Sequence, residues 1–432
     1  MPGTAIGKYR WTIVTLLFFA TTINYLDRQV IGLLKDTLGK EFSWTEKDYS
    51  HIVMAFTAAY ALGLLLFGKF IDYIGTKLGY IVSLIVWSLS AMGHALATGT
   101  LGFGIARASL GLGESGNFPA AIKAVAEWFP KKERALATGI FNSGSNIAAV
   151  IGPLVVTWIL YHFGWRYCFL WTGILGIIWL ICWIRFYDTP AKARTKGLSE
   201  AEYEYIHSDS EDEQSTVKKP AVSWSKLLGI KHTWAFIFGK LLTDPVWWFY
   251  LFWVPSYFKT NFGLDLQKSK LDVAFIYFVA SFGSIAGGAF SGWLMRKGME
   301  AYKARKTAMF IFALCVLPVM FIRFTDKAWV AMALVGLAAA AHQAWSANIF
   351  TTASDMFPKH AVSSVVGIGG MAGSVGGILF PLFIGILLDH FKALGSEPVG
   401  YNIIFVICGF AYLLAWVIMH FLCPKMSRVK GL

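Results

Sequence analysis

Long apolar runs, each closed by a short polar stretch, recur along the whole chain. Windows of about 20 apolar residues are what a helix needs to cross a hydrocarbon core of roughly 30 Å. Twelve such windows can be placed, beginning near residues 11, 49, 78, 100, 135, 164, 232, 271, 307, 327, 363 and 400. Strands of a membrane barrel need only about 9 to 11 residues of alternating polarity, whereas these runs are continuous. The pattern therefore predicts an all-α membrane protein of twelve transmembrane helices. Between Arg185 and His232 the apolar pattern stops, which predicts a linker over 187–231 between six-helix bundles at 1–186 and 232–432. Its front part is expected to form a short surface helix with Glu200, Glu202 and Glu204, and the acidic SDSEDEQ run a solvated coil.

The two halves repeat one another. Phe129-Pro130-Lys131 returns as Phe357-Pro358-Lys359, an offset of 228 residues, and at that offset Gly139 meets Gly367 and Pro153 meets Pro381. The same offset carries Glu114 onto His342. Tandem six-helix halves related by an axis along the membrane normal place a substrate site at their interface near mid-bilayer.

Composition agrees with a bilayer protein, 56% hydrophobic and 15% charged. The formal charge of +13 would suggest a nucleic-acid partner in a soluble protein, but the cations sort by loop. Lys131, Lys132, Arg134, Arg296, Lys297, Lys303, Arg305 and Lys306 all fall on the side of the termini and linker. By the positive-inside rule both termini and the linker are expected in the cytoplasm, and no nucleic-acid partner is implied. The first apolar run already carries Asn24, Asp27 and Arg28 and has no small-residue cleavage site, so it reads as a span rather than a signal peptide. The five cysteines stand singly, without metal or redox spacing, and read as small core residues.

Against this background Asp27, Arg28, Arg107 and Glu114 stand out, because a charge at the bilayer centre costs roughly 2.5–3.5 kcal/mol on insertion scales and marks a functional site. Arg107 and Glu114, seven residues apart, are about 10 Å apart along a helix axis and cannot pair comfortably. Asp27 is therefore expected to neutralise Arg107, its protonation releasing the arginine. Glu114, flanked by Gly111, Gly113 and Gly116, sits where helices can approach closely. Asn142, Ser145 and Asn146 share a face of the fifth helix, and His342, Gln343, Trp345, Ser346 and Asn348 form an unusually polar turn of the tenth. Trp247, Trp248 and Tyr250 offer a flat apolar wall, and Lys240 and Asp244, four apart on one helix, are expected to pair. Glycines from Gly369 to Gly377 and Pro381 permit close packing and bending.

These features together resemble the major facilitator superfamily over nearly the whole chain. GKFIDYIGTK is similar to the loop that family carries between its second and third helices, through Gly68, Asp72, Gly75 and Lys77, with Tyr73 in place of a basic residue. The second-half counterpart, SGWLMRKG, lacks the aspartate. NYLDR at 24–28, RASLGLGESGNFPA at 107–120 and EWFPKKERALATG at 127–139 resemble the anion:cation symporter branch. LTDPVWWFYLFWVPSYF and AHQAWSANIFTTASDMFP look most like hexuronate transporters.

The resemblance implies protonation at Asp27 and Glu114, capture of a substrate carboxylate by Arg28, and Tyr25 and Tyr60 in the pocket. With Arg107, Asn142, Asn146, Trp248, His342, Gln343 and Ser346 they form the expected substrate site, and the Gly68–Lys77 loop is expected to gate. The expected function is proton-coupled import of a sugar acid, a hexuronate first, by a monomer in a bacterial inner membrane, with no cofactor or metal. Another organic anion, sodium coupling and a membrane sensor are the alternatives. The chain lacks a phosphate-binding G-x-x-x-x-G-K-[ST] loop and HExxH spacing, so an ATP-driven pump and a metal hydrolase are disfavoured.

Overall fold

The computed structural model describes residues 6–209, 220–264 and 270–432. The first half contains α1 (Tyr9–Leu33), a short α2 (Lys35–Phe42), α3 (Glu46–Ile74), α4 (Thr76–Gly93), α5 (Thr100–Glu114), α6 (Asn117–Trp128), α7 (Lys131–Phe163) and α8 (Trp165–Phe186). Three short helices follow, α9 (Pro190–Ala193), α10 (Glu200–Ile206) and α11 (Trp224–Leu228). The second half contains α12 (Lys231–Phe252), α13 (Val254–Phe262), α14 (Lys270–Arg296), α15 (Ala301–Val316) with 3₁₀ turns to Phe324, α16 (Ala328–Met356), α17 (Val362–Ala393) and α18 (Glu397–Leu422). Counting α5 with α6 as one span and extending α15 through its 3₁₀ turns gives twelve spans in two six-helix bundles. Residues 210–214 of the expected acidic coil, and Lys218 and Lys219, lie outside the described residues.

Among the described residues nine helices are apolar and long enough to cross a membrane. The spans that fall short are α1, the α5–α6 pair and α12, and these carry Asp27 with Arg28, Arg107 with Glu114, and Lys240 with Asp244. Large apolar side chains such as Leu62, Ile181, Leu382 and Ile386 are exposed around the outside, as lipid contact requires. Local signals set the element ends. Thr45 and Asp48 exchange side-chain and backbone hydrogen bonds in a capping box that starts α3. Gly75 (φ 97°) joins α3 to α4 in a conformation that a side chain would strain.

The fourth span departs from the single helix that the pattern predicts, breaking at Ser115 and Gly116 directly after Glu114. Gly111, Gly113 and Gly116 supply the space, and the carbonyls at the break find partners. Ser83 Oγ donates to Gly113 O at 2.6 Å and Asn24 Nδ2 to Glu114 O at 3.4 Å. Inside a bilayer such compensation is what permits a helix to break.

The halves meet along two seams, α3 with α17 and α7 with α14. In the first, a Cβ on Gly68 would press on Ser363 O and one on Gly367 on Leu64 O. In the second, a Cβ on Gly288 would press on Ala135 O and one on Gly139 on Ser284 O. The two seams are copies: Ala135 to Ser363 and Gly139 to Gly367 keep the offset of 228, while Leu64 to Ser284 and Gly68 to Gly288 give 220. An insertion or deletion between the repeats thus hid half of the symmetry from a fixed-offset reading. At offset 220 Gly292 stands opposite Asp72, which accounts for the missing aspartate.

Ion pairs close the face that bears the termini and α9–α11. Asp72 accepts from Lys123 Nζ at 2.8 Å and from Ser363 N (3.3 Å) and Ser364 N (2.7 Å), capping the start of α17 across the seam. Arg134 pairs with Asp355 at 3.2 Å, Arg305 pairs with the same carboxylate at 3.1 Å, and Arg305 Nη2 donates to Lys131 O at 2.7 Å. Lys77 instead holds Asp188 at 3.0 Å, and Tyr73 is exposed. The expected helix over Glu200–Ile206 forms, but Glu202 is buried rather than on the surface. Its carboxylate accepts from Tyr9 N and Arg10 N, both at 3.0 Å, and pairs with Arg10, so α10 caps the start of α1.

Gly288→Leu is expected to open this face. Overpacking costs about 1–3 kcal/mol, which lowers the closed population relative to an open one by roughly five- to a hundredfold. A cysteine placed at Ser354, with the native cysteines replaced, then reacts several-fold faster with a hydrophilic maleimide; an unchanged rate would refute the seam as the closing contact.

Candidate functional site

Between the halves lies a cavity of about 110 Å³. From the first half it is lined by Tyr25 and Arg28 on α1, Tyr60 and Leu64 on α3, Phe118 on α6, and Asn142 and Ser145 on α7. From the second half come Lys240, Asp244, Trp247 and Trp248 on α12, His342, Gln343, Ser346 and Phe350 on α16, and Val366, Gly370, Gly373 and Ser374 on α17.

Arg28 is the centre of the first wall. Its guanidinium lies 4.7 Å from the Tyr25 ring centroid, 4.6 Å from that of Tyr60 and 5.1 Å from that of Phe56, a cage of three π faces. Its Nε donates to Glu114 Oε2 at 3.0 Å, with Nη2 at the same distance from that oxygen. Glu114 is wholly buried, and its other oxygen, Oε1, has no hydrogen-bond partner. Glu114 is the last residue of α5, and from there its carboxylate meets Arg28 on α1.

The ion pair expected between Asp27 and Arg107 does not form. Both are buried, yet neither Asp27 oxygen has a hydrogen-bond partner, and Nε and Nη1 of Arg107 have none either. Arg107 Nη2 reaches only Arg28 O at 3.4 Å, and the guanidinium lies over Phe56 at 4.4 Å. Neighbouring residues on a helix point about 100° apart. With Arg28 turned to Glu114 and the cavity, Asp27 is directed toward α8, where Thr172 is its polar neighbour. Arg107 consequently stands behind Phe56 and does not line the cavity.

Polar side chains of the two halves meet across the cavity floor. Asn142 Nδ2 donates to Gln343 Oε1 at 2.7 Å, and Gln343 Nε2 donates to Asn146 Oδ1 at 3.2 Å. Asn146 therefore supports Gln343 and is not itself a lining residue, while Ser145 is. His342 stacks on Trp247 with centroids 4.9 Å apart and planes at 9°. His342 Nδ1 shares a hydrogen bond of 2.5 Å with the Tyr412 hydroxyl, which is also 3.3 Å from Thr243 O. The expected polar turn of α16 divides in two. His342, Gln343 and Ser346 face the cavity, while Trp345 is buried in the helix packing and Asn348 binds Gly287 O and Ala344 O. Trp248 lines the cavity as expected, but Tyr250 is buried away from it.

The sequence pattern did not mark Leu64, Phe118, Phe350 or Ser374 as lining residues. Apolar side chains here are indistinguishable by type from those that pack helices, and only the geometry separates them. The expected Lys240–Asp244 pair forms at 2.8 Å. Among the described residues no cluster of His, Cys, Asp and Glu is suited to a metal ion. The arrangement is a guanidinium that binds either Glu114 or another carboxylate, facing aromatic planes and a set of amide, imidazole and hydroxyl groups.

Comparison with known proteins bears on what such a cavity holds. The family model for the Major Facilitator Superfamily matches residues 17–381. The chain is 31% identical over 422 residues to a hexuronate transporter of Escherichia coli K12, covering 96% of this chain and 95% of that one. It is 33% identical over 283 residues to a galacturonate transporter of Dickeya chrysanthemi, covering 66% and 81%. The proton:xylose symporter XylE, solved with 6-bromo-6-deoxy-D-glucose, has a TM-score of 0.73 at 16% identity, with 97% of each chain covered, and so shares the fold.

The two acids of the first half should differ in what they contribute to thermal stability. Asp27→Asn replaces a buried carboxyl that has no hydrogen-bond partner and is expected to unfold at or above the wild-type temperature. Arg28→Met strands Glu114 and should lose about 3–5 kcal/mol. A large loss in Asp27→Asn would mean that its carboxylate has a partner after all.

Proposed function

The chain belongs to the Major Facilitator Superfamily, is a transporter rather than an enzyme, and we propose on that footing that it imports a hexuronate, glucuronate or galacturonate, together with protons. The observation that carries the reading is Arg28 held by Glu114 at 3.0 Å on the cavity wall inside its aromatic cage. A carboxylate on the cargo and the Glu114 carboxylate compete for one guanidinium. Protonation of Glu114 frees Arg28 for the cargo, and the planar fork of arginine suits a carboxylate bidentately.

Asp27, whose carboxylate oxygens make no hydrogen bond or ion pair, is the second proton carrier, since a buried carboxylate left unpaired is held at least cost in its neutral form. The ring of the sugar acid packs on Trp247 and Trp248, and its hydroxyls meet Gln343, His342, Ser346 and Asn142. The Asp72, Arg134 and Arg305 contacts close the cytoplasmic face of an inner-membrane protein with both termini inside. They must part when the halves rock to release cargo and protons. The hexuronate and galacturonate transporters among the relatives support this cargo, and the loop placement of lysine and arginine supports the orientation.

Proteoliposome uptake of labelled sugar acids, with and without a pH gradient, tests the reading. Hexuronate uptake should rise with an inward proton gradient and not with sodium. Asp27→Asn is expected to abolish gradient-driven uptake while keeping counterflow exchange, which need not cycle the proton; equal loss of both would argue against a coupling role. Arg28→Ala should weaken binding by about 2–5 kcal/mol, and unchanged affinity would remove it from the site.

A further inference from the structure

Two charged side chains on the second wall, Lys240 and Asp244, have no task in the scheme above. Both line the cavity, their charged atoms 2.8 Å apart. The lysine side chain is 5% exposed and the aspartate 22%, so the carboxylate is the member that meets the open space. Lys240 Nζ also lies 4.0 Å from the Phe350 ring centroid, and Asp244 Oδ2 occupies the space that a Cβ on Gly373 would need. The pair is thus built into the wall by α16 and α17, and the Asp244 charge reaches Tyr25 on the opposite half.

Counting charge around the cavity gives this pair a meaning. Among the described residues the fully charged lining side chains are Arg28, Lys240 and Asp244, with Glu114 paired to Arg28 from behind. His342, stacked on Trp247 and bonded to Tyr412, is counted neutral. Among these four, two cations and two carboxylates cancel; Arg107 stands behind Phe56, outside the cavity, with Asp27 near it, and is not part of the count. A proton on Glu114 leaves one net positive charge, which one carboxylate of a ligand neutralises. A second carboxylate would arrive beside Asp244 with no cation to meet it, in surroundings where like charges repel far more strongly than in water.

Resting on the reading of this cavity as a sugar-acid site, we propose that the Lys240–Asp244 pair is a specificity determinant that admits sugar monoacids and excludes sugar diacids. As a unit it adds no net charge. It offers one donor and one acceptor to ring hydroxyls, while the aspartate repels a second carboxylate.

The test is binding of galacturonate and galactarate, six carbons with one carboxylate or two, to the purified protein, read as ligand-dependent thermal stabilisation, with the open-chain monoacid galactonate controlling for the ring that galactarate lacks. Wild type is expected to bind galacturonate at least tenfold more tightly than galactarate. Asp244→Asn should raise galactarate affinity at least tenfold and erase that preference. Lys240→Gln should weaken galacturonate at least tenfold, and the charge-neutral double variant should turn the preference back toward the monoacid. Equal wild-type binding of the two acids, or an unchanged ratio in Asp244→Asn, overturns the proposal. Should Asp244→Asn not fold, undiminished galacturonate binding by Lys240→Gln overturns it instead. If wild type binds neither galacturonate nor glucuronate, the cargo reading itself falls, an outcome distinct from equal binding of monoacid and diacid.

Discussion

A hydrocarbon medium cannot solvate an ionised side chain, so every charge kept inside this bundle needs a partner, a proton or an aromatic face. Arg28 has all but the proton: Glu114 at 3.0 Å and three rings within 5.1 Å of its guanidinium. That density of compensation holds a cation at the cavity wall when no cargo is there. It also makes the cation available, since a neutralised Glu114 leaves the rings in place and one face of the guanidinium unsatisfied. Arg107 is the contrast. Two of its nitrogens lack partners and Phe56 separates it from the cavity, so it supplies a positive field near Asp27 and Glu114 rather than a direct grip on cargo.

The seams set how the charged centre can be reached. Four glycines bring backbone against backbone across the two half interfaces, at positions related by the internal repeat. Backbone contacts of this kind have no long side chains to adapt, so they are either made or lost together, which suits a two-state closure better than a graded one. The ion pairs at the same end share this character. Asp355 holds Arg134 from one half and Arg305 from the other, and Asp72 serves Lys123 on its own side and the start of α17 on the other. Each carboxylate is therefore satisfied within its half as well as across it, and parting the halves need not strand either of them.

The twelve spans were legible because length and apolarity are nearly sufficient to define a membrane helix. The charges were legible because they interrupt that pattern; α1 and α12 fall short in apolarity, and α5 and α6 fall short because the break leaves each too short. Pairing was harder to read. Spacing ruled out Arg107 with Glu114, but it could not show that Glu114 would meet Arg28 and leave Asp27 facing α8. The buried position of Glu202 was illegible for a related cause: an acidic run reads as solvent-facing until the backbone amides it caps, those of Tyr9 and Arg10, are in view. Nearly 200 residues separate these partners, and no local pattern reports on such a distance. The lining residues Leu64, Phe118 and Phe350 share their chemistry with the core, so only the cavity identifies them.

The break in the fourth span ties the chemistry to the seams. α6 begins three residues after Glu114, at Asn117, whose side chain is held by Tyr80 and by Thr21 on α1 at 3.3 Å. One residue on, Phe118 lines the cavity; the next, Pro119, accepts from Ser363 Oγ across the seam at 3.0 Å, and Lys123 ends on Asp72. A helix of twelve residues thus starts three residues beyond Glu114 and carries closing contacts within its first seven positions. An unbroken fourth helix would carry any shift of α6 into α5 as well, against the backbone of Phe56 and Trp87 where Gly111 and Gly113 are wedged. The break at Ser115 and Gly116 relaxes that constraint. It lets α6 move with the closing contacts while α5 keeps its packing, and it places the point of freedom beside Glu114, the acid paired with Arg28.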